Sequence, residues 1–397
     1  AEAAEAGLRV LVGKRQALAS STDLSPGALD ELAERVVAMA NRVPEDPFCG
    51  LAEPDELARA IPSLELCDAA EPLPEALFET AREAEEAALA VAGVTNSEGA
   101  SAAYGLGVAA LATTTGFNAG YASSSVSVSA SVIAGEGAGM ERDYEHAAAC
   151  FRADLESAAA VGRRAGERAV ARLKPRKARS AKVPVVYDPR VANGLLRHFA
   201  GAINGAAIAR GTSFLKDRLG EPVFAPGIAV IDDPLRARGL ASRPFDGEGV
   251  ATRQRTLIDD GRLKGWLLDC RSARRLGLKT TGNAGRGAAS LPQPASSNLY
   301  LAPGRLSPAE LMADLREGFY VTELIGMGVN GITGDYSRGA AGFWIENGSR
   351  AYPVSEVTVA GNLKEMFARL TPADDLVFRY GINAPTLRIE GMTVAGR

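Results

Sequence analysis

Residues 195–215 read LLRHFAGAINGAAIARGTSFL, and the organisation of the chain follows from this stretch. After Asp188 and Pro189, the apolar residues Leu195, Leu196, Phe199, Ala202, Ile203 and Ala206 recur near the i, i+3, i+4, i+7 positions, which predicts an apolar-faced helix over 189–210. Gly201 and Gly205 lie inside it, each costing about 1 kcal/mol relative to alanine in a helix interior. Such residues imply very close packing against the backbone. The helix carries His198, one of only two histidines in the chain, and no carboxylate follows Asp188 until Asp217.

Working outward, residues 183–187 (VPVVY) read as a buried strand leading into the helix. Strands follow at 227–231, at 250–258 and 263–269 around the turn Asp259-Asp260-Gly261, and at 341–346 and 349–353 around Asn347-Gly348. Short helices are predicted over 307–318 and 362–370. Towards the N-terminus, residues 7–12 and 15–20 form a hairpin, and Ser25-Pro26 starts a helix to about Asn41 with Leu29, Leu32, Val36 and Met39 inward. A second helix spans 74–91. Residues 124–132 (SSVSVSASV) alternate as a half-exposed antiparallel strand, with 113–117 as a neighbouring strand. The glycine-rich 135–139 lacks the spacing of a phosphate loop and reads as a turn into a long helix over 140–172, with Tyr144, Ala148, Phe151, Leu155 and Ala159 inward and His146 solvated. The expected class is α+β in two domains, 1–180 and a strand-rich 181–397 that carries the histidine helix.

Composition narrows the function. The chain has 397 residues, 46% hydrophobic and 23% charged, with a net charge of -4, ordinary for a globular protein and no footprint for nucleic acid. The basic run from Arg163 to Lys182 has no interleaved aromatics, and is read as complementing a helix C-terminus before a linker. Four dispersed cysteines read as reduced thiols. With no apolar run long enough to span a membrane, the expectation is a cytoplasmic protein. Residues 335–339 (DYSRG) put acid, phenol, hydroxyl and guanidinium on a glycine-rich loop, which suits either a peptide-binding groove or a buried Asp-Arg pair bracing a turn.

The run from Leu195 to Pro234, together with residues 242–249 (SRPFDGEG), 281–284 (TGNA), 328–339 (GVNGITGDYSRG) and 384–389 (APTLRI), resembles the TldD/PmbA family, in its PmbA (TldE) branch. In the TldD branch the corresponding helix carries a His-Glu-x-x-x-His zinc motif. Here the first histidine is His198, the glutamate position is Phe199 and the second histidine position is Ile203. Two ligands at i and i+5 lie roughly 140° apart on a regular helix, so that motif also needs a break to converge. The cysteine ligand of the TldD branch has no counterpart in 374–385. The resemblance implies a chain without catalytic or metal-binding residues, with zinc held by a TldD-type partner. It further implies a heterodimer with that partner, or a homodimer, that cuts unfolded peptides such as leader segments or an antitoxin. Groove residues implied are Asp246, Glu248, Asp335, Tyr336 and Arg338. Family members usually carry several tens of residues before the first hairpin, so the start is expected to be truncated. The rival readings are a stand-alone metal-dependent hydrolase using His198, and a protein-binding regulator, after the family's label as DNA gyrase modulators; no nucleic-acid or membrane partner is expected.

Overall fold

The computed structural model describes residues 2–396. The expected first hairpin forms from β1 (Ala6–Val12) and β2 (Arg15–Ser21), turning at Gly13, whose φ of +60° only glycine adopts readily. Helix α1 (Pro26–Ala40) lies on it through Leu32, Val36 and Ala40. Leu29 and Met39 are exposed, against expectation, because a two-stranded ribbon is wide enough to cover only the single stripe i, i+4, i+8.

Helix α2 (Pro74–Leu89) precedes a three-stranded antiparallel sheet of β3 (Val94–Ala112), β4 (Asn118–Ala134) and β5 (Glu141–Ala149), and α3 (Ala158–Ala171) follows. Both helices cover one face of the sheet, burying Val128, Ala130, Val132 and Ala134 against Ala84, Ala88, Val161 and Ala165. The alternation expected over 124–132 is present along β4. Three expectations are corrected here. Residues 113–117 form the tip of the β3–β4 hairpin, not a strand. The glycine-rich 135–139 turns into a strand, not a helix. Residues 140–172 are not one helix: Asp143, Glu145, Ala147 and Ala149 are buried with period two, and Ser157 caps a separate α3 by accepting from the Ala160 N–H. The apolar spacing that mimicked a helix includes Tyr144, which is exposed. His146 lies on strand β5, half-buried and stacked on Tyr380.

The remaining chain builds a closed barrel and a second sheet, with a helix packed between strands of the two. After β6 (Ala181–Tyr187) come α4 (Pro189–Ala202) and α5 (Gly205–Arg210). Strands β7 (Val230–Asp232), β8 (Arg255–Asp259) and β9 (Arg262–Leu263) precede α6 (Cys270–Leu276) and the short pair β10 (Ala284–Gly285) and β11 (Gln293–Pro294). Then follow β12 (Leu299–Leu301), α7 (Pro308–Met312), β13 (Glu317–Ile325), β14 (Asp335–Glu346), β15 (Ser349–Asn362), α8 (Leu363–Ala368), β16 (Leu370–Pro372), β17 (Ile382–Asn383) and β18 (Leu387–Ala395). The order β15-β14-β13-β6-β18 closes through a β15–β18 pairing, with β16 attached outside the ring, and a second sheet runs β17-β12-β7-β8-β9. The fold is α+β. The turn at Asn347-Gly348 is where the sequence puts it, but its arms extend much further in both directions. The turn around Asp260 is also found, with shorter arms, and the strand expected at 227–231 begins at Val230. The helix expected over 307–318 stops at Met312, since Leu315 is needed in the core beneath the barrel and Gly318 pairs with Ile345 in β13.

Candidate functional site

The stretch 195–215 folds as two helices. Asp188 caps α4 by accepting from the Arg190 N–H, and the helix ends at Ala202. Ile203 leaves the helical path, and Asn204 accepts from the N–H groups of Ala206 and Ala207 to start α5. The break falls at the second histidine position of the catalytic motif. The Leu267 N–H donates to the Ile203 carbonyl, and Gly205 N–H to the Leu267 carbonyl, so the break is stitched to the strand side. A side chain at Gly205 would meet Leu268 and the Leu267 carbonyl, which explains that glycine, whereas Gly201 faces open space.

Phe199 and Ile203 are both fully buried, at 0% exposure. Phe199 stands edge-on to Phe224 at 5.2 Å and to Phe367 at 6.1 Å, while Phe224 and Phe367 stack at 4.5 Å. Leu195, Leu196, Phe199 and Ile203 belong to one core that joins the barrel residues Val185, Phe319 and Ile389 to Val230, Leu257 and Leu299 of the second sheet. Zinc requires lone-pair donors in a tetrahedral set. These two positions offer hydrocarbon only, and the residues around the helix do not fit the ion. Among the described residues no group of three or more His, Cys, Asp or Glu side chains is arranged to hold a metal.

His198 points the other way. It is half-buried, and its pKa is lowered by that burial and by the Arg338 and Arg197 charges. Its ring lies edge-on to Tyr336 at 6.1 Å. Tyr336 is itself buried, with the Tyr187 hydroxyl as its polar neighbour, while Arg338 donates through Nε to the Ile325 carbonyl. Asp335 is exposed and accepts from Thr333 (2.6 Å) and Asn362 (3.0 Å), so the alternative Asp335–Arg338 brace is not formed. Loop residues 327–332 and 335–337 wall a cavity of about 610 Å³ on this side, open to solvent at Met327 and Ile332.

Asp246 and Glu248 lie elsewhere and are buried. Asp246 accepts from the N–H groups of Glu248, Val250 and Ala284, each at 2.9 Å, and so pins its own loop. Glu248 accepts from the Cys270 N–H at the start of α6 (2.7 Å) and faces Arg9 of β1 at 3.6 Å. No hydrogen bond or ion pair among the described residues joins this pair to Asp335, Tyr336 or Arg338. Burial first, then the Asp246 charge, raise the Glu248 pKa to about 7. A carboxyl raised on folding holds a proton that the unfolded chain has already released. Stability is therefore expected to fall as pH rises from about 4.5 to about 7 and to stay lower above that. Glu248→Gln should show none of this decline, and urea midpoints of the two proteins from pH 5 to 8 should diverge. Parallel curves would show that Arg9 keeps the carboxylate charged throughout.

One arrangement was not anticipated from the sequence. Asp143 of β5 accepts from Arg190 at the start of α4 at 2.5 and 3.0 Å, and Arg172 adds Asp143 (3.4 Å) and Glu323 (2.6 Å). Glu145 pairs with Arg164 (3.1 Å) and Arg168 (2.7 Å). Three cations of the basic run, Arg164, Arg168 and Arg172, thus form an ion-pair face on α3 and its C-cap, beyond the effect on the helix dipole. The signal was present: Arg164, Arg168 and Arg172 share one helix face, opposite Asp143 and Glu145 on one strand face.

Comparison with known proteins identifies the family and agrees with the fold. The descriptions of the PmbA/TldA metallopeptidase domain 1, central domain and C-terminal domain match residues 2–40, 67–173 and 180–396 respectively. The metalloprotease PmbA of Escherichia coli O157:H7 is 41% identical, covering 98% of this chain and 85% of that one. A PmbA homolog of Haemophilus influenzae is 38% identical with the same coverage. Among solved structures, a protein of Bacteroides thetaiotaomicron described as a candidate modulator of DNA gyrase superposes with a TM-score of 0.91 at 29% identity, over 98% of this chain and 88% of that one. TldE of Thermococcus kodakarensis gives 0.86 at 21% identity, over 99% and 94%, which speaks to the fold.

Proposed function

The chain belongs to the PmbA/TldD metallopeptidase family, and from that premise we propose that it is the zinc-less subunit of a two-subunit peptidase, completing a chamber whose chemistry a TldD-type partner performs. Its role is protease-related, as the names of its relatives imply. One observation carries the finer reading: the positions where the catalytic branch has glutamate and histidine hold Phe199 and Ile203, both inside the hydrocarbon core. A general base and a metal ligand must reach solvent-derived water and substrate; neither position does. The helix is kept as a scaffold. The substrate class is an extended, unfolded peptide, held by main-chain bonds that are largely indifferent to sequence, and His198, Tyr336 and Arg338 beside the open loop are where this chain lines the groove. The Asp246 and Glu248 pair supports that groove from a distance by fixing loops.

The test is co-expression with the TldD-type protein from the same source. Each protein alone and the pair together are assayed on an unfolded peptide, with zinc measured by elemental analysis after gel filtration. This chain alone is expected to hold well under one equivalent of zinc and to cut negligibly, with activity in the pair only. Stoichiometric zinc lost on His198→Ala, with cleavage by this chain alone, would instead establish the stand-alone metal-dependent hydrolase that the relatives' names favour. Capture of gyrase in place of a TldD-type protein would establish the regulator reading.

A further inference from the structure

A cavity of about 770 Å³ lies between β1, residues 49–53, the tip of the β3–β4 hairpin, Arg274 of α6 and Arg286, and shares no residue with the histidine helix. That volume suits a small molecule or the end of a peptide. Leu11, Leu51 and Leu111 give it apolar wall, and four cations, Arg9, Lys14, Arg274 and Arg286, line it together. Among the described residues two carboxylates stand within ion-pair distance of these four: Glu248 at 3.6 Å from Arg9 and Glu53 at 3.4 Å from Arg274. The cavity therefore carries an excess of two positive charges in a chain whose net charge is -4. Concave sites of one sign concentrate ligands of the other.

Three of the four cations are engaged by the protein itself. Arg9, its side chain only 6% exposed, donates through Nε and Nη2 to the Gln16 side chain (3.0 and 2.8 Å) besides facing Glu248. Arg274 donates to the Leu51 carbonyl as well as to Glu53, and Lys14 to the Cys49 carbonyl at 3.4 Å. Arg286 is different. It is half-buried, and among the described residues it makes no hydrogen bond or ion pair. Burial, then the Arg9 charge, lower its pKa against the pull of Glu248. A guanidinium that is partly desolvated beside a like charge, with no acceptor, costs the empty protein stability and returns none. Across the cavity stands Thr114, whose hydroxyl is also free of hydrogen bonds among the described residues, while Thr113 and Thr115 bond each other at 2.9 Å.

We propose that this cavity binds a carboxylate, with the Arg286 guanidinium as its main contact, the Thr114 hydroxyl as a second donor and the leucine walls around the hydrocarbon body of the ligand. A guanidinium fork matches the two oxygens of a carboxylate. Because Arg9 and Arg274 are already committed to protein acceptors, one free fork remains, which suits two oxygens better than the three of a phosphate. The ligand is then an amphiphilic acid, either the carboxyl end of a peptide or a small organic acid. The site is independent of the zinc-less subunit reading, since none of its residues belongs to the groove beside His198.

Fluorescence anisotropy with fluorescein-labelled tetra-alanine, carrying either a free carboxyl end or a C-terminal amide, tests it without any peptidase assay. The free acid is expected to bind about tenfold or more tightly than the amide, the scale of one charge-assisted hydrogen bond. Arg286→Gln should erase that preference and leave the urea midpoint unchanged or higher, whereas removing an arginine that only braces the fold would lower it. Ala110→Glu, on the exposed strand across the cavity, should also abolish binding of the acid by setting a fixed carboxylate in the wall. The distant, exposed Arg305→Gln should change nothing. Succinate followed by calorimetry separates the two sources: Arg286-dependent binding of succinate without the peptide assigns the site to a small acid. Equal binding of peptide acid and amide with no binding of succinate overturns the proposal, as does silence of all three at millimolar concentration. So does tighter binding of inorganic phosphate than of either carboxylate, or a folded Arg286→Gln protein that keeps the preference.

Discussion

Phe199→Glu combined with Ile203→His, which restores the letters of the zinc motif, is expected to cost most of the protein's stability and to return no peptidase activity. Each native side chain contributes about 1.5–3 kcal/mol by removing apolar surface from water. Loss of the Phe199 packing against Phe224 and Phe367 adds a cavity term, so large-to-small changes at such sites reach about 3–5 kcal/mol. A carboxylate and an imidazole placed there find no partner and add the cost of burying unpaired polar groups. Against a typical total of about 5–15 kcal/mol, the double variant should unfold at far lower urea or fail to accumulate. Phe199→Leu, which keeps the site apolar, separates packing loss from polarity and should lose much less. A double variant as stable as the parent would mean that the site is already open to water. Chelator-sensitive cleavage by it would mean that a third ligand and a substrate path persist.

The second large effect is expected at the Asp143–Arg190 pair, where α4 is anchored to the sheet of β3, β4 and β5. Both side chains are nearly inaccessible, at 2% and 10% exposure. Burial by itself would raise the Asp143 pKa. The Arg190 hydrogen bonds and charge, with the Tyr144 N–H and Arg172, outweigh it and hold the value below the ordinary one. The stability this pair contributes is thus present above the ordinary aspartate pKa and lost as pH falls through the lowered one. Arg190→Ala leaves a buried carboxylate without its main partner and should cost about 3–5 kcal/mol at neutral pH. The deficit should shrink in acid, where the stranded carboxyl takes up a proton. Removing both charges with Asp143→Asn and Arg190→Met should recover much of the loss. Urea melts at pH 7 and pH 4 decide it: an equal deficit at both would assign the role of Arg190 to packing and to its bond with the Thr322 carbonyl.

Much of the architecture was legible where local chemistry dominates. The hairpin turns at Gly13, Asp260 and Asn347-Gly348 were legible because few residues adopt a positive φ there. The starts of α1, α4 and α7 were legible because proline and a preceding Ser or Asp mark a first turn, although Ser25 makes no side-chain cap bond. Residues 140–150 were misread because Tyr144, Ala148 and Phe151 happen to fall at helical spacing. The alternation of Asp143 and Glu145 does not read as a core pattern in the sequence, since charged residues are rarely buried unless paired. Their partners, Arg164, Arg168, Arg172 and Arg190, come from α3 and α4, and the pairing exists only once those helices pack on the sheet.

By itself the sequence determined the family, the α+β class and the chemical poverty of the histidine helix, since Phe199 and Ile203 have no lone pairs in any conformation. Whether those two positions face a cleft or a core was decided by tertiary structure. Only the packing of α4 between β13 of the barrel and β12 and β17 of the second sheet surrounds it with hydrocarbon. The same holds for the acidic residues of the resembling segments. The family resemblance of their segments grouped Asp246 and Glu248 with Asp335 and Arg338 as one groove, and the fold buries the first two beside Arg9 and α6. Burial is a property of what arrives from elsewhere in the chain, and no local stretch encodes its own surroundings.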